Sequence, residues 1–325
     1  IAFSDNNPET WGLIIDGIPV LPPEEAVARY GRNTSFIVAI YNGNSARRQL
    51  NALGCSYVVH VRALFHAQPE LFSHGGLADP EVIFAEKDQV QAGLKAWADE
   101  YSRSEYLDQL GWRLDANTPL PGRHSPVDLR YHEPAIYRPL ANEIYVDCGA
   151  YDGDSLQDFL NQANGEGVRY IGYEPDPDNF KRLRAYVDSL PPTTRSRITL
   201  FNQAVGVVFQ SSGFAATATA GSRLSETGDC FVDCTTLDGS LAGIAPTLIK
   251  MDVEGNENNV LLGAWETIRQ HRPLLVVCLY HRPEDLWLLP LTIKSILPEY
   301  ALHLRRYAED CWELVCYAVP PQRKP

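Results

Sequence analysis

Three runs of the sequence put acids and glycines where the chain must change direction, and a fourth ends in a histidine. The first is Ile144-Tyr-Val-Asp147-Cys-Gly149-Ala150-Tyr-Asp152-Gly153-Asp154-Ser155. A strand-like run ends in an acid, Gly149 lets the backbone turn tightly against a ligand, and Gly153 opens the next helix. Dinucleotide folds carry GxGxxG here, so that a pyrophosphate meets free helix N–H groups. Asp147, Asp152 and Asp154 replace that chemistry with one that repels phosphate and suits a cation. A capping role in an acidic first helical turn competes for Asp154 and Ser155, but it leaves the glycines unexplained.

The second run is Tyr170-Ile-Gly-Tyr-Glu174-Pro175-Asp176-Pro-Asp178, with Glu174 at a strand end 27 positions after Asp147. An acid there accepts hydrogen bonds from both ribose hydroxyls in nucleotide-binding β/α folds. Alone it reads as a solvent-facing strand end, and the spacing favours the functional reading. The third run is Leu248-Ile-Lys250-Met-Asp252-Val-Glu254-Gly, whose three charges share one face if it is a strand. A charged central strand is costly unless paired, so Lys250 is equally an ion-pair partner and a catalytic group. Asp252 falls at the strand's C-terminal end, where open α/β sheets bind ligands. The fourth run, Val276-Val-Cys-Leu-Tyr280-His281-Arg-Pro, puts His281 beyond another strand end. An imidazole there could take a proton from a substrate hydroxyl; the bland alternative is a capping or surface histidine.

The elements that must carry these residues read as follows. From residue 141 to 320 strands alternate with helices: Glu143–Cys148, Tyr170–Glu174, Ile198–Asn202, Thr247–Val253 and Pro273–Tyr280, then Ala301–Arg306 and Glu313–Val319. The loop between the last two has no room for a crossover helix, so they pair antiparallel. Helices are expected at Asp154–Asn164, Asp178–Ser189, Thr236–Leu241, Glu257–His271 and Glu284–Leu297, with a loop or small hairpin in the Ser/Thr/Gly/Ala-rich stretch Ser211–Gly228. Residues 1–75 read as a smaller α/β domain with a parallel sheet: strands at Ile1–Phe3, Leu13–Ile15, Ile18–Val20, Phe36–Tyr41 and Tyr57–Val61, a turn at Asp16–Gly17, and a helix capped by Ser45. Residues 76–140 read as a helical connector with a lid, because helical periodicity (Val90, Leu94, Trp97, Tyr101) gives way to five prolines between Pro119 and Pro139.

The chain has 28 Lys and Arg against 41 Asp and Glu, a formal charge of −13 that disfavours nucleic acid. No apolar run is long enough to span a membrane. Seven cysteines without metal-binding spacing point to reduced, buried thiols and a cytoplasmic protein. Ile1 stands in strand-like sequence without a Met, so residues upstream are expected.

These runs, with Thr236-Leu-Asp238, closely resemble the FkbM-type S-adenosylmethionine-dependent methyltransferases over about residues 130–319, and Leu279-Tyr-His-Arg-Pro-Glu-Asp-Leu-Trp287 with Leu304-Arg-Arg-Tyr307 looks like a bacterial subgroup. The resemblance implies a class I methyltransferase fold, a Rossmann-like seven-stranded sheet, with S-adenosyl-L-methionine as cofactor. It implies cofactor contacts from Asp147 and Gly149 at the methionine end, from Glu174 at the ribose and from the Asn202-Gln203-Ala204 turn at the adenine, with Ala150, Gly153, Pro175 and Asp252 also in the cofactor site. His281 and Asp252 are the expected proton acceptors for transfer to a hydroxyl of a sugar, glycan precursor or related small molecule. A divalent metal held by Asp252 and other carboxylates could do the same work, but no complete octahedral ligand set is visible, so no required metal is expected. Rival readings are transfer to nitrogen and a cofactor-binding scaffold or sensor in polysaccharide assembly; the acidic first loop disfavours a dehydrogenase. Residues 1–75 resemble the C-terminal part of a Rossmann-like domain of sugar-modifying proteins, without that pattern's Gly-rich first turn. The reading admits a homo-oligomer.

Overall fold

The computed structural model describes the chain except residues 41–42, 69–79, 116–117, 163–166, 209, 225–227, 229 and 324–325. It divides into two units, one of Ile1–Pro80 with Leu110–Pro121, the other of Glu81–Gln109 with Gly122–Pro325.

In the first unit, Asp16 (φ 50°) and Gly17 (φ 79°) both take left-handed backbone, the requirement of a two-residue hairpin turn. Ile14–Ile15 therefore pairs antiparallel with Ile18–Leu21, and the sheet expected to be parallel is mixed here. Phe3–Ser4 pairs parallel on the other side of Ile18–Leu21, and Ser35–Val38 pairs parallel with Tyr57–His60 in a separate sheet. The helix Asn44–Ala52 starts one residue before the expected Ser45 cap, with Gly43 at its N-cap position. Leu50 of this helix packs with Val27, Val38 and Cys55. Tyr41, expected to end a strand, lies outside the described residues.

The second unit holds the seven-stranded sheet. Its strands are β1 (Ile144–Cys148), β2 (Arg169–Tyr173), β3 (Ile198–Phe201), β4 (Leu248–Met251), β5 (Leu274–Cys278), β6 (Ala301–Arg306) and β7 (Leu314–Val319). They lie in the order β6-β7-β5-β4-β1-β2-β3, with β7 antiparallel to both neighbours and β1 to β5 parallel. Every residue of β4, β5 and β7 is buried, and their near-continuous apolar sequences are those of strands covered on both faces. Helices α1 (Asp154–Gln162), α2 (Pro177–Ser189), α3 (Glu257–Gly263), α4 (Trp265–His271) and α5 (Asp285–Ile296) follow β1, β2, β4 and β5.

The single helix expected over Glu257–His271 breaks at Ala264 (φ −115°, ψ 11°) into α3 and α4. The Gly263 backbone runs so close to the Gly206 carbonyl that a Cβ would lie 1.9 Å from its oxygen. Asp238 supplies the missing cap, accepting from the Glu266 and Thr267 amides at 3.1 and 2.8 Å. The stretch Ser211–Gly228, expected as a loop or hairpin, contributes to a four-stranded sheet. Gln210–Ala215 pairs antiparallel with Cys230–Thr235 and Arg223–Leu224, and Ala204–Val205 pairs parallel with Cys230–Thr235. Phe214, Val232 and Cys234 form its core with Ala204.

Helices Lys87–Ala96 and Glu100–Leu114 confirm the periodicity read in that stretch. Its 97–105 segment covers the open edge of β6: Ala98 N donates to the Leu302 carbonyl at 2.8 Å, and Leu304 N donates to Ser102 Oγ at 2.8 Å. Beside them Arg306 and Glu105 form a fully buried ion pair at 2.8 Å.

Candidate active site

The parallel register of β1, β2 and β4 brings their C-terminal ends level, and the loops that follow are stitched together there. Gly149 (φ 86°) turns the chain after β1 so closely that a Cβ would sit 1.9 Å from the Asp252 carbonyl oxygen, which only glycine permits. The Gly149 and Ala150 amides both donate to the Tyr173 carbonyl at 3.0 Å. Gly153 (φ 102°) then leads into α1, where Asp154 accepts from the Ser155 amide at 2.7 Å.

Asp147 ends up beneath this loop. It is fully buried, its Oδ1 3.0 Å from Lys250 Nζ and its Oδ2 accepting from the Tyr170 hydroxyl at 2.6 Å. Burial pushes its carboxyl up, and the Lys250 ammonium opposes that push. Lys250 Nζ also donates to the Gly149 carbonyl at 2.7 Å, so the pair props the glycine turn from below.

Glu174 follows β2. Its Oε1 accepts from the Asp176 amide and its Oε2 from the Tyr151 amide, each at 2.9 Å. Burial outweighs these donors and raises the carboxyl to about 7. Asn202 Nδ2 donates to the Glu174 and Pro175 carbonyls at 2.8 and 3.0 Å, which fixes the turn carrying Gln203 against this strand end. Asp176 caps α2 and also accepts from Ala218 N at 3.1 Å and Ser222 Oγ at 2.6 Å. It thereby ties the insert to the site.

Asp252 follows β4, which ends at Met251, so the extended face expected to carry Lys250, Asp252 and Glu254 together is not formed. Glu254 has φ 54° instead. Asp252 Oδ2 accepts from the Tyr131 hydroxyl at 2.8 Å and Oδ1 from the Tyr280 hydroxyl at 3.1 Å. Burial raises the Asp252 carboxyl, but Lys250, His281 and Tyr131 together hold it below the usual carboxylate range. His281 Nε2 lies 3.3 Å from Asp252 Oδ1 and 3.5 Å from Glu254 Oε1, and Nδ1 lies 2.8 Å from Glu257 Oε1. Burial disfavours the imidazolium, yet these carboxylates overcome it and set the ring well above 6.5.

An open cleft, whose roughly 920 Å³ of non-atom space includes solvent at its mouth, lies over these strand ends. Of the residues expected from sequence, Gly149, Glu174, Pro175, Gln203 and Asp252 line it. Asp147, Ala150, Gly153 and His281 do not: Asp147 is a buried prop, Ala150 and Gly153 shape the loop, and His281 stands behind Asp252. Other residues of the wall lie outside the site expected from sequence, six of them from three segments. Tyr131 and Arg130 come from the proline-rich stretch, and Arg130 pairs with Glu313 at 2.6 Å and Asp154 at 3.5 Å. Tyr280 follows β5 beside His281, and Phe214, Ser222 and Leu224 come from the insert. Among the described residues, two sets of three could each hold a metal ion: Asp252, Glu254 and His281, and Glu257, His281 and Asp285. No described helix is long and apolar enough to cross a membrane.

The family described as the methyltransferase FkbM domain matches residues 147–311, just over half of the chain. The methyltransferase FkbM of Methylobacillus flagellatus KT shares the fold: it is 24% identical over 98% of this chain and 83% of its own, with a TM-score of 0.77. Fibrillarin of Aeropyrum pernix, solved with natively bound S-adenosyl-L-methionine, is more distant, at 10% identity over 55% of this chain and 66% of its own, with a TM-score of 0.35. No curated protein matches the sequence. With the seven-stranded sheet in class I order, the chain is a methyltransferase and belongs to the FkbM methyltransferase domain family.

Proposed function

We propose that the protein moves the methyl group of S-adenosyl-L-methionine to a hydroxyl of a sugar, glycan precursor or related small molecule. The observation that carries this reading is the shared wall of the cleft: the Gly149 turn, the Glu174 carboxyl and the Asp252 carboxylate at three adjacent strand ends. The residues fit the cofactor. Gly149 lets the loop after β1 pack against the Asp252 carbonyl at the cleft wall, Glu174 offers two acceptor oxygens for a ribose diol, and the acids of the wall suit a cationic ligand that lacks phosphate. When bound, S-adenosyl-L-methionine supplies an electrophilic methyl group on a sulfonium.

The chain's own residues then bind, align and exclude. Glu174 accepts the ribose hydroxyls, and the Gln203 turn borders the adenine side. Asp252 accepts a hydrogen bond from the acceptor hydroxyl and holds its oxygen toward the methyl group. Alignment of this kind is worth at most about 7–11 kcal/mol of barrier. Tyr131 and Tyr280 hold the Asp252 carboxylate in one orientation. His281 contacts Asp252 from behind the wall and acts as a positioning residue rather than as the group that meets substrate. A wall built from phenols, carboxylates and the Arg130 guanidinium suits a polyhydroxy acceptor. The seven cysteines, six of them buried and without metal-binding spacing, support a cytoplasmic setting.

The test is transfer of labelled methyl from S-adenosyl-L-methionine to a panel of nucleotide sugars and free glycosides, with Asp252→Asn as control. Label in a methyl ether that Asp252→Asn fails to form supports the reading. Label in an N-methyl product overturns the hydroxyl assignment. Tight cofactor binding with no transfer to any acceptor is the outcome of the scaffold reading.

A further inference from the structure

His281 is more constrained than a positioning role for Asp252 requires. Its side chain is only 5% exposed, yet Nε2 has no hydrogen-bond partner. Buried polar atoms without partners are rare and call for an explanation. The Nε2 atom is aimed between Asp252 Oδ1 and Glu254 Oε1, at 3.3 and 3.5 Å, and one donor atom from each of the three residues falls within 4.8 Å of the others.

We infer that Asp252, Glu254 and His281 form a binding site for one divalent cation on the wall of the cleft. A cation about 2.1 Å from each nitrogen or oxygen ligand sets neighbouring ligands about 3.0–3.5 Å apart, from octahedral to tetrahedral angles. The two measured separations lie in that interval. Metal-bound histidines turn their other nitrogen to a carboxylate, which fixes the ring. Here Nδ1 lies 2.8 Å from Oε1 of the fully buried Glu257. Glu257 is held in turn by the Val253 amide, which donates to the same oxygen at 2.9 Å. The phenols of Tyr131 and Tyr280 do the same for Asp252, as donors to a ligating carboxylate.

One nitrogen and two carboxylates form a mixed set of the kind that takes Mn²⁺ or Zn²⁺ more readily than Mg²⁺, whose sites are built from oxygen alone. Asp252 and Glu254 line the cleft while His281 does not, so the free coordination positions face the lumen. The ligand class that fits them is a hydroxyl or vicinal diol of the acceptor, whose acidity the cation would raise. That last step rests on the proposed methyl transfer; cation binding itself does not.

The experiment is Mn²⁺ titration of chelator-treated protein without cofactor, with free Mn²⁺ read by electron paramagnetic resonance. S-adenosylhomocysteine binding is measured in parallel by calorimetry. The expected result is one saturable Mn²⁺ per chain, displaced by Zn²⁺, with affinity at least about tenfold weaker in His281→Ala and in Glu254→Gln, the scale set by loss of a ligand or of its support. Glu254 is partly exposed, so its variant decides the matter if His281→Ala does not fold. Absence of saturable binding in the wild type overturns the site, as does unchanged affinity in Glu254→Gln. Either result combined with intact S-adenosylhomocysteine binding leaves the methyltransferase reading standing, so the two failures are distinguishable.

Discussion

Glu174 gives the sharpest test of how the cleft holds its cofactor, because burial has placed its carboxyl at about 7. At pH 8 about nine in ten molecules carry the carboxylate, and at pH 6 about one in ten. Ribose hydroxyls donate to the ionised form, so affinity for S-adenosylhomocysteine rises between pH 6 and 8 by about tenfold, or ~1.4 kcal/mol. Stability of the ligand-free protein runs the other way. The folded carboxyl lies above its unfolded value of 4.5, so the folded state keeps a proton that the unfolded chain has released. Stability is therefore lost as pH rises from 4.5 to about 7, by up to about 3 kcal/mol. Glu174→Gln removes both slopes and weakens binding at pH 8 by about 1.5–3 kcal/mol, the worth of hydrogen bonds to a charged acceptor. Isothermal titration calorimetry at pH 6, 7 and 8 reads the affinities, and scanning calorimetry reads the stability. A pH-independent Kd in the wild type, or equally tight binding by Glu174→Gln at pH 8, would refute the reasoning.

Three further outcomes follow from the geometry. Lys250→Met leaves Asp147 buried without its counter-charge and should cost about 3–5 kcal/mol, seen as a lower Tm, while Lys250→Met with Asp147→Leu recovers much of the loss; an unchanged Tm in the single variant contradicts the prop. Gly149→Ala forces a Cβ onto the Asp252 carbonyl, so it should lower Tm and weaken S-adenosylhomocysteine binding by displacing the loop, and an unchanged Tm with full binding contradicts the close packing of these two strand ends. Tyr131→Phe removes the donor to Asp252 Oδ2 and should lower kcat about tenfold with the S-adenosylhomocysteine Kd unchanged; an unaltered kcat removes Tyr131 from the site.

The sheet was legible because most of its strands are apolar runs bounded by charged or turn residues while β6 alternates with period two, and because the short loop before β7 leaves one way to pair it. The strand-end members of the site were legible for the same reason: Gly149, Glu174 and Asp252 follow strands whose ends the sequence marks. Depth was not legible. Alternation assigns Asp147 to a face of β1 but does not say that Lys250 and Tyr170 close over it. Partners distant in sequence were not legible either. Tyr131 meets Asp252 from 121 positions away, out of a proline-rich stretch with no periodicity to place it. The insert was legible as a loop or a small hairpin, but its pairing with Cys230–Thr235 was not, because Ser, Gly and Ala in 211–216 give no alternating apolar face beyond Phe214. Thr236 and Asp238 belong to the family pattern, and their observed contacts are the caps of a short helix and of α4.

A crystal structure of the complex with S-adenosylhomocysteine tests the central claim most directly. The account predicts the ribose diol on the Glu174 carboxyl, the adenine beside the Gln203 turn and the sulfur turned toward Asp252. A ligand bound outside this cleft, or lying in it with its ribose away from Glu174, would contradict it.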